Sequence, residues 1–556
     1  MPQQSPFQID IPATDIFSFA FPPDEPLSDK PLYLDAADTS KSLSPRQVVQ
    51  WVKRLGLGLQ RVGLKEGDVA MVFSSSHIFM PVMYLGLSAA GYIFTGCNPA
   101  YGVEEVVYQI QNTNCAAIFV EPALLSATLG AAAKLSFPHS RIFLFSDTEC
   151  KPIQGLRDWR SILPSEQEAS SWQWRRLSGS QSANTVACLN YSSGTTGLPK
   201  GVMISHQNVI ANVTQSLYMR QLSNPPYPRN ITQWHTVDER WLGFLPLYHA
   251  YGQLWSIVAA ARTLTQTFFM RSFNFEVFLR NIQNHRITHI QTAPPVLVML
   301  AKRPETAKYD LSSMRNILCG AAPLSKELQN EVSDKYNLSV VQTWGMTELT
   351  CSSCHVPGLL DDRSGSVGFA DPNASIKLVS DEGQEVTKAG ERGEILVKAP
   401  NVCLGYWKNE QATKDTFDED GYLRTGDVGV RDESGWYWIV DRKKELIKVK
   451  GFQVPPAELE AALLGHEAVA DAAVCAVHLD HEELPRAYCS IKAEHKGKVT
   501  PKEIQKWIAE RVARHKQLTG GVIFIDEVPK SPSGKIQRKI LREWAAKDAM
   551  KLQARL

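Results

Sequence analysis

Between residues 69 and 145 the chain alternates short apolar runs with longer segments of helical spacing. VAMVF (69–73), YIFT (92–95), AAIFV (116–120) and RIFLF (141–145) read as buried strands. IFMPVMYLGLSAAG, VEEVVYQIQN and ALLSATLGAAAKL lie between them and read as helices. Strands joined by whole helices cannot pair as hairpins. Each helix crosses over and returns the chain parallel to the strand it left, so helices cover both faces of the sheet. A similar alternation resumes after residue 240. Upstream, Ser44-Pro45 predicts a helix start, with Val48, Val49, Val52, Leu55 and Leu59 following at helical spacing.

A chain of 556 residues exceeds what one core organises, so two or more domains are expected. Apolar residues make up 44% and charged residues 21%, as in a soluble globular protein. The 59 Lys+Arg balance 58 Asp+Glu, which gives no support to a nucleic-acid or membrane-surface role. No run is long and apolar enough to span a bilayer, and the start MPQQSPFQIDIPATD lacks the pattern of a secretory signal. The ten cysteines are scattered, mostly in apolar runs, which predicts buried free thiols in a reducing compartment. Cys351 and Cys354 form CSSC, but no second pair stands at zinc spacing. Residues 217–236 carry prolines and no period, and read as a surface loop. From about residue 440 the chain turns lysine-rich, with Leu446, Ile447 and Val449 expected to anchor the run. Helix and strand patterns after it suffice for a small α+β domain. The expected division is a large α/β domain, 1–440, of parallel-rich sheets sandwiched by helices, and a small mobile domain, 441–556, with a hinge near Asp441-Arg442.

The stretch YSSGTTGLPKGV (191–202) packs glycine, serine, threonine and one lysine between two apolar segments. Such a loop offers backbone N–H groups, hydroxyls and one cation at close approach, which is how a loop holds phosphate oxygens. It does not fit the mononucleotide P-loop, because Pro199 follows Gly194 at the wrong spacing and Gly201 follows Lys200.

This stretch resembles the signature of the adenylate-forming (ANL) superfamily, which includes acyl-CoA synthetases, 4-coumarate–CoA ligases, luciferase and peptide-synthetase adenylation domains. LPLYHAYG (245–252), CGAAPL (319–324), VQTWGMTE (341–348), GYLRTGDVG (421–429), WIVDRKKELIKVKGFQVPPAELE (438–460) and KSPSGKIQRK (530–539) resemble the remaining blocks in family order. Nearly the whole chain is covered, and the 4-coumarate–CoA ligase-like acyl-CoA synthetases are the most similar group.

The resemblance implies an acid–thiol ligase that makes an acyl-AMP from ATP and then passes the acyl group to CoA. An aryl or medium-chain acid is the expected substrate. The first step brings an anion against a polyanion, so charge neutralisation and positioning dominate it. By the family pattern, Ser192, Ser193, Gly194, Thr195, Thr196 and Lys200 embrace the β- and γ-phosphates. Thr347 donates to the α-phosphate, and Glu348 holds Mg²⁺ through a hard oxygen. Asp427 and Arg442 hold the ribose. Gly320, Ala321 and Ala322 offer a flat backbone to adenine, with Trp344 stacking opposite in place of the usual tyrosine. Gln342 and Thr343 border the same site, Thr343 replacing a common glycine. His249, Tyr251, Gly320 and Gln342 line the acyl pocket, and a histidine at 249 argues against an α-amino acid substrate. Lys535 enters the adenylation site from the small domain. Lys450 and Gly451 line the CoA channel, and Lys444, Lys448 and Gln453 are further contacts to adenylate or CoA. Where related ligases place a CoA-contacting lysine, this chain offers Arg271 or no substitute. Because Lys535 and Lys450-Gly451 cannot occupy one site together, the small domain is expected to turn about Asp441-Arg442.

Three rivals accompany that reading: an adenylating enzyme that loads a separate carrier protein, a luciferase-like oxidase, and a catalytically dead relative. The intact Lys200, Glu348, Asp427 and Lys535 oppose the last. The terminal Ala554-Arg555-Leu556 matches the S-K-L pattern read by the peroxisomal import receptor, which predicts a peroxisomal location.

Overall fold

The computed structural model describes residues 2–192, 198–222, 239–358, 360–449, 452–479, 482–531 and 534–553. Two sheets with parallel centres form the bulk of the large domain. The first runs Gly405–Tyr406, Lys200–Ser205, Val186–Ser192, Ile93–Cys97, Val69–Phe73, Ala117–Val120, Ile142–Leu144, Arg157–Asp158. Its strands are parallel from Val186–Ser192 onward, while Lys200–Ser205 returns antiparallel to Val186–Ser192. The helices Met80–Ala89, Val103–Thr113 and Leu125–Leu135 connect these strands, as the alternation predicts. Val69–Phe73 is buried throughout, which is why its sequence shows an apolar run rather than alternation.

The second sheet centres on parallel strands His289–Thr292, Asn316–Cys319 and Ser339–Trp344 on one side and Arg240–Gly243, Gln266–Phe269 and Tyr33–Asp35 on the other. A third, antiparallel sheet contains Ser375–Val379, Gly393–Lys398, Leu423–Arg431 and Tyr437–Arg442, with Gln3–Gln4 at its edge. Helix Pro45–Arg61 starts at Ser44 through a capping box with Gln47, and Val48, Val52, Leu55 and Leu59 are fully buried.

One sequence expectation needs correction. Helix His206–Gln221 extends into the segment read as a loop, and Leu217, Tyr218 and Met219 are buried in it. The prolines that suggested a loop begin only at Pro225, and residues 223–238 lie outside the described residues.

The small domain joins helices Pro456–Leu464, Pro501–Ala509 and Arg538–Gln553 to a sheet of Val469–Leu479, Glu482–Ile491 and Val522–Ile525. Its core begins with Ile447, Val449 and Val454, so the apolar residues among the lysines anchor that run. The ten cysteines are free thiols. No described helix is long and apolar enough to cross a membrane.

Candidate active site

The C-terminal ends of the second sheet's strands deliver most of the candidate residues to one place. Gly320 follows Asn316–Cys319, and Gln342, Thr343 and Trp344 end Ser339–Trp344. A Cβ added to Gly320 would stand 2.9 Å from Thr343 Cγ2 and 3.7 Å from Tyr251 Cε1, so Thr343 and Tyr251 close in on a position that only glycine leaves unclashed. The Tyr251 hydroxyl donates to the Leu318 carbonyl (2.9 Å) and fixes its ring there. Ala321, which is exposed, holds a positive φ of 71°, costly for a residue with a Cβ. Gln342 spends its amide on the Gln329 side chain (2.7 Å) and the Leu324 carbonyl (3.3 Å), which makes it a fixed wall.

His249 precedes a short helical turn that runs into a π-helix, Gln253–Ala259, a form that recurs at functional sites. Burial and the nearby Lys535 charge lower its pKa to about 4, so the imidazole is neutral near pH 7.

Glu348 opens a 3₁₀ turn with Thr347 and is 5% exposed. Its Oε1 accepts from the Tyr406 hydroxyl at 2.8 Å. Lys200 lies with Nζ 4.7 Å from the Tyr406 ring centroid. Tyr406 was not singled out from the sequence. The antiparallel pairing of Tyr406 with Val202, two residues after the candidate phosphate-binding Lys200, brings it here. Ser192 stands opposite Lys200 across the same hairpin, whereas Ser193, Gly194, Thr195 and Thr196 lie outside the described residues.

Asp427 is 9% exposed. Its Oδ2 accepts from the Trp344 indole N–H (2.8 Å), and its Oδ1 faces Arg442 Nε (3.5 Å). Burial raises its pKa, against the opposing pull of Arg442 and of the Trp344 hydrogen bond. Trp344 is thus bound edge-on to the candidate ribose carboxylate and packs into the third sheet's core.

Lys535 reaches this site from the small domain. A turn closed by Ser531 N–H to the Lys535 carbonyl (2.8 Å) presents it. Gly534, at φ 81°, comes so close to the large domain that an added Cβ would lie 3.1 Å from Pro295 Cγ. Burial and the charge of Arg442 lower the Lys535 pKa, while Glu348 and Asp427 oppose that shift. The structure therefore brings Lys535, Glu348, Asp427, Arg442 and His249 into one electrostatic neighbourhood.

Lys444 and Lys448 are exposed, and Gln453 donates to Asp381 (2.7 Å). Lys450 and Gly451 lie outside the described residues. Arg271 is committed to acids, pairing with Asp147 and with Glu121 (3.6 Å).

Among the described residues no group of three or more His, Cys, Asp or Glu assembles a metal cage. Mg²⁺ held by one carboxylate plus substrate phosphates needs no such cage. Glu348, with Oε1 taken by a neutral donor, is a fitting single ligand.

Two known families match most of the chain. The AMP-binding enzyme family matches residues 24–407, and the AMP-binding enzyme C-terminal domain matches 458–535. The chain belongs to the AMP-binding enzyme family. Within it, an acyl-CoA synthetase of Alternaria alternata is 38% identical over 92% of this chain and 87% of its own length. A phenylacetyl-CoA ligase of Aspergillus niger is 35% identical over 96% of this chain and 97% of its own. The crystal structure of ATP-bound MatB from Rhodopseudomonas palustris superposes with a TM-score of 0.81 at 27% identity, covering 96% of this chain and 99% of MatB. Like these family members, the protein joins a large N-terminal domain to a smaller C-terminal one.

Proposed function

We propose that this enzyme is an ATP-dependent acid–CoA ligase. A substrate carboxylate oxygen attacks the α-phosphorus of ATP, the bond to pyrophosphate breaks, and acyl-AMP forms. The CoA thiolate then attacks the acyl carbonyl and AMP leaves. The observation that carries this reading is Lys535, a half-buried small-domain cation in the electrostatic reach of Glu348, Asp427 and Arg442. Such a cation opposes negative charge gathering between carboxylate and α-phosphate, and a fixed charge costs no reorganisation as the reaction proceeds. Lys200 and Thr347 hold phosphate oxygens, and Mg²⁺ on Glu348, when bound, would offset their charge. Asp427 and Arg442 hold the ribose.

The similarity to an acyl-CoA synthetase and to a phenylacetyl-CoA ligase supports an aryl or medium-chain acid as the substrate. For the second step the small domain turns about Asp441-Arg442 and brings Lys450 and Gly451 to the CoA path. The C-terminal Ala554-Arg555-Leu556 directs the protein to peroxisomes.

A panel of aryl, medium-chain and amino acids, assayed for pyrophosphate release with and without CoA, tests the function. Acid-dependent release with acyl-CoA as product is expected, and none from α-amino acids. Acyl-AMP that forms but never passes to CoA would overturn the ligase assignment in favour of a carrier-protein acceptor. Deleting residues 554–556 should leave purified activity unchanged and shift the protein to the cytosol; an unchanged location would overturn the address.

A further inference from the structure

Tyr406 touches both charged groups assigned to the triphosphate end of the site, and it touches them with different parts of one side chain. Its hydroxyl donates to Glu348 Oε1 at 2.8 Å, while Lys200 Nζ lies 4.7 Å from its ring centroid. We propose that Tyr406 is a positioning residue for adenylation: it aims the Glu348 carboxylate and keeps it apart from Lys200 until nucleotide and metal arrive. This rests on the reading of Glu348 as the metal ligand and Lys200 as the phosphate cation.

The backbone around Tyr406 is built to hold it still. Leu404 N–H donates to the Met203 carbonyl (2.9 Å) and Trp407 N–H to the Gly201 carbonyl (2.8 Å), tying the segment to the strand that carries Lys200. Cys403 N–H donates to the Glu348 carbonyl (2.9 Å), which ties the same segment to the 3₁₀ turn. Tyr406 N–H donates to Thr413 Oγ1 (2.9 Å). Gly405 adopts φ 127° where a Cβ would collide with Thr413 Cγ2 at 2.4 Å, so only glycine permits this approach. Tyr406 itself is 8% exposed.

Elementary electrostatics supplies the reason for such a spacer. A free ammonium and a free carboxylate at close range in a partly buried site pair with each other, and the pair offers less to an incoming phosphate and metal. A ring face holds the ammonium by cation–π attraction without neutralising it. A phenol O–H satisfies one carboxylate oxygen without removing its charge, and leaves the other oxygen for a hard cation.

The two functions separate by substitution. Tyr406→Phe keeps the ring and loses the hydroxyl; Tyr406→Leu loses both. With Tyr406→Phe, the Mg²⁺ concentration giving half-maximal pyrophosphate exchange should rise about tenfold, as expected for a lost neighbour of a metal ligand. Mn²⁺ affinity of the enzyme–ATP complex, read by electron paramagnetic resonance, should weaken to the same degree. ATP binding in EDTA, read by calorimetry, should not change in Tyr406→Phe and should weaken at least threefold in Tyr406→Leu. Unchanged Mg²⁺ and Mn²⁺ dependence in Tyr406→Phe overturns the proposal. So does a matched loss of every readout in both variants with lowered Tm, which would make Tyr406 a packing residue. Glu348→Gln separates the proposal from the reading beneath it. If that variant shifts the metal dependence and Tyr406→Phe does not, only the proposal falls; if neither shifts it, the metal assignment of Glu348 falls as well.

Discussion

The Trp344 indole N–H donates to Asp427 Oδ2 at 2.8 Å, across 83 residues of sequence. Asp427 is the carboxylate assigned to the ribose, and Trp344 stands where the family usually has tyrosine. A tyrosine ring can stack on a base but has no N–H at this edge. In this chain one side chain therefore links the candidate adenine wall to the candidate ribose acid.

Trp344→Phe should loosen that link. A hydrogen bond to a charged group contributes about 1.5–3 kcal/mol, part of which Asp427 regains from Arg442 or water. KM for ATP should rise on the order of tenfold, and the preference for ATP over 2′-deoxy-ATP should shrink. Steady-state kinetics with both nucleotides check this; an unchanged preference would mean the indole N–H only fills a packing need.

Gly534 sits at φ 81° with Pro295 and Ala293 against it. Gly534→Ala adds a Cβ to a left-handed backbone, at a cost of about 1–2 kcal/mol, and pushes the Lys535 turn off the large domain. Pyrophosphate exchange should fall about tenfold. Acyl-CoA formation from preformed acyl-AMP should stay within twofold of wild type. Equal losses in both would show that this turn serves the small domain's stability rather than its docking.

Asp441 is 4% exposed and accepts from the Arg442 and Ala457 N–H groups (2.7 and 3.0 Å). Burial raises its pKa to about 6, against the pull of Arg538. The folded state thus holds a proton that the unfolded state has released. Its contribution to stability is full below the unfolded value near 3.8 and is lost as pH rises through about 6. Asp441→Asn mimics the protonated acid and should flatten the change in Tm between pH 4 and pH 7 relative to wild type. Parallel Tm curves for the two proteins would contradict this.

Much of the fold was legible because each crossover in 69–145 is local: strand, helix and turn signals lie within a few residues of one another. The ordered blocks likewise marked Glu348, Asp427 and Lys535, which interact from distant parts of the chain, and Lys200, which lies against the Tyr406 ring. What stayed hidden depends on long-range pairing. Tyr406 is one aromatic in NVCLGYWKN, and only the register of Tyr406 against Val202 reveals its neighbours. The Trp344–Asp427 bond and the capture of Arg271 by Asp147 and Glu121 are of the same kind. The misread start of the 217–236 segment has a local cause: prolines downstream masked the buried face of Leu217, Tyr218 and Met219.

The most direct test of the account is Lys535→Ala assayed on the two half-reactions separately. Lys535 is the half-buried small-domain cation that interacts with Glu348, Asp427 and Arg442, and a charge aimed at the adenylation transition state serves that step alone. Acid-dependent pyrophosphate exchange should fall on the order of 100-fold or more, while transfer from preformed acyl-AMP to CoA stays close to wild type. Equal loss in both half-reactions, or none in the first, would contradict the assignment of Lys535 and the two-step use of the small domain.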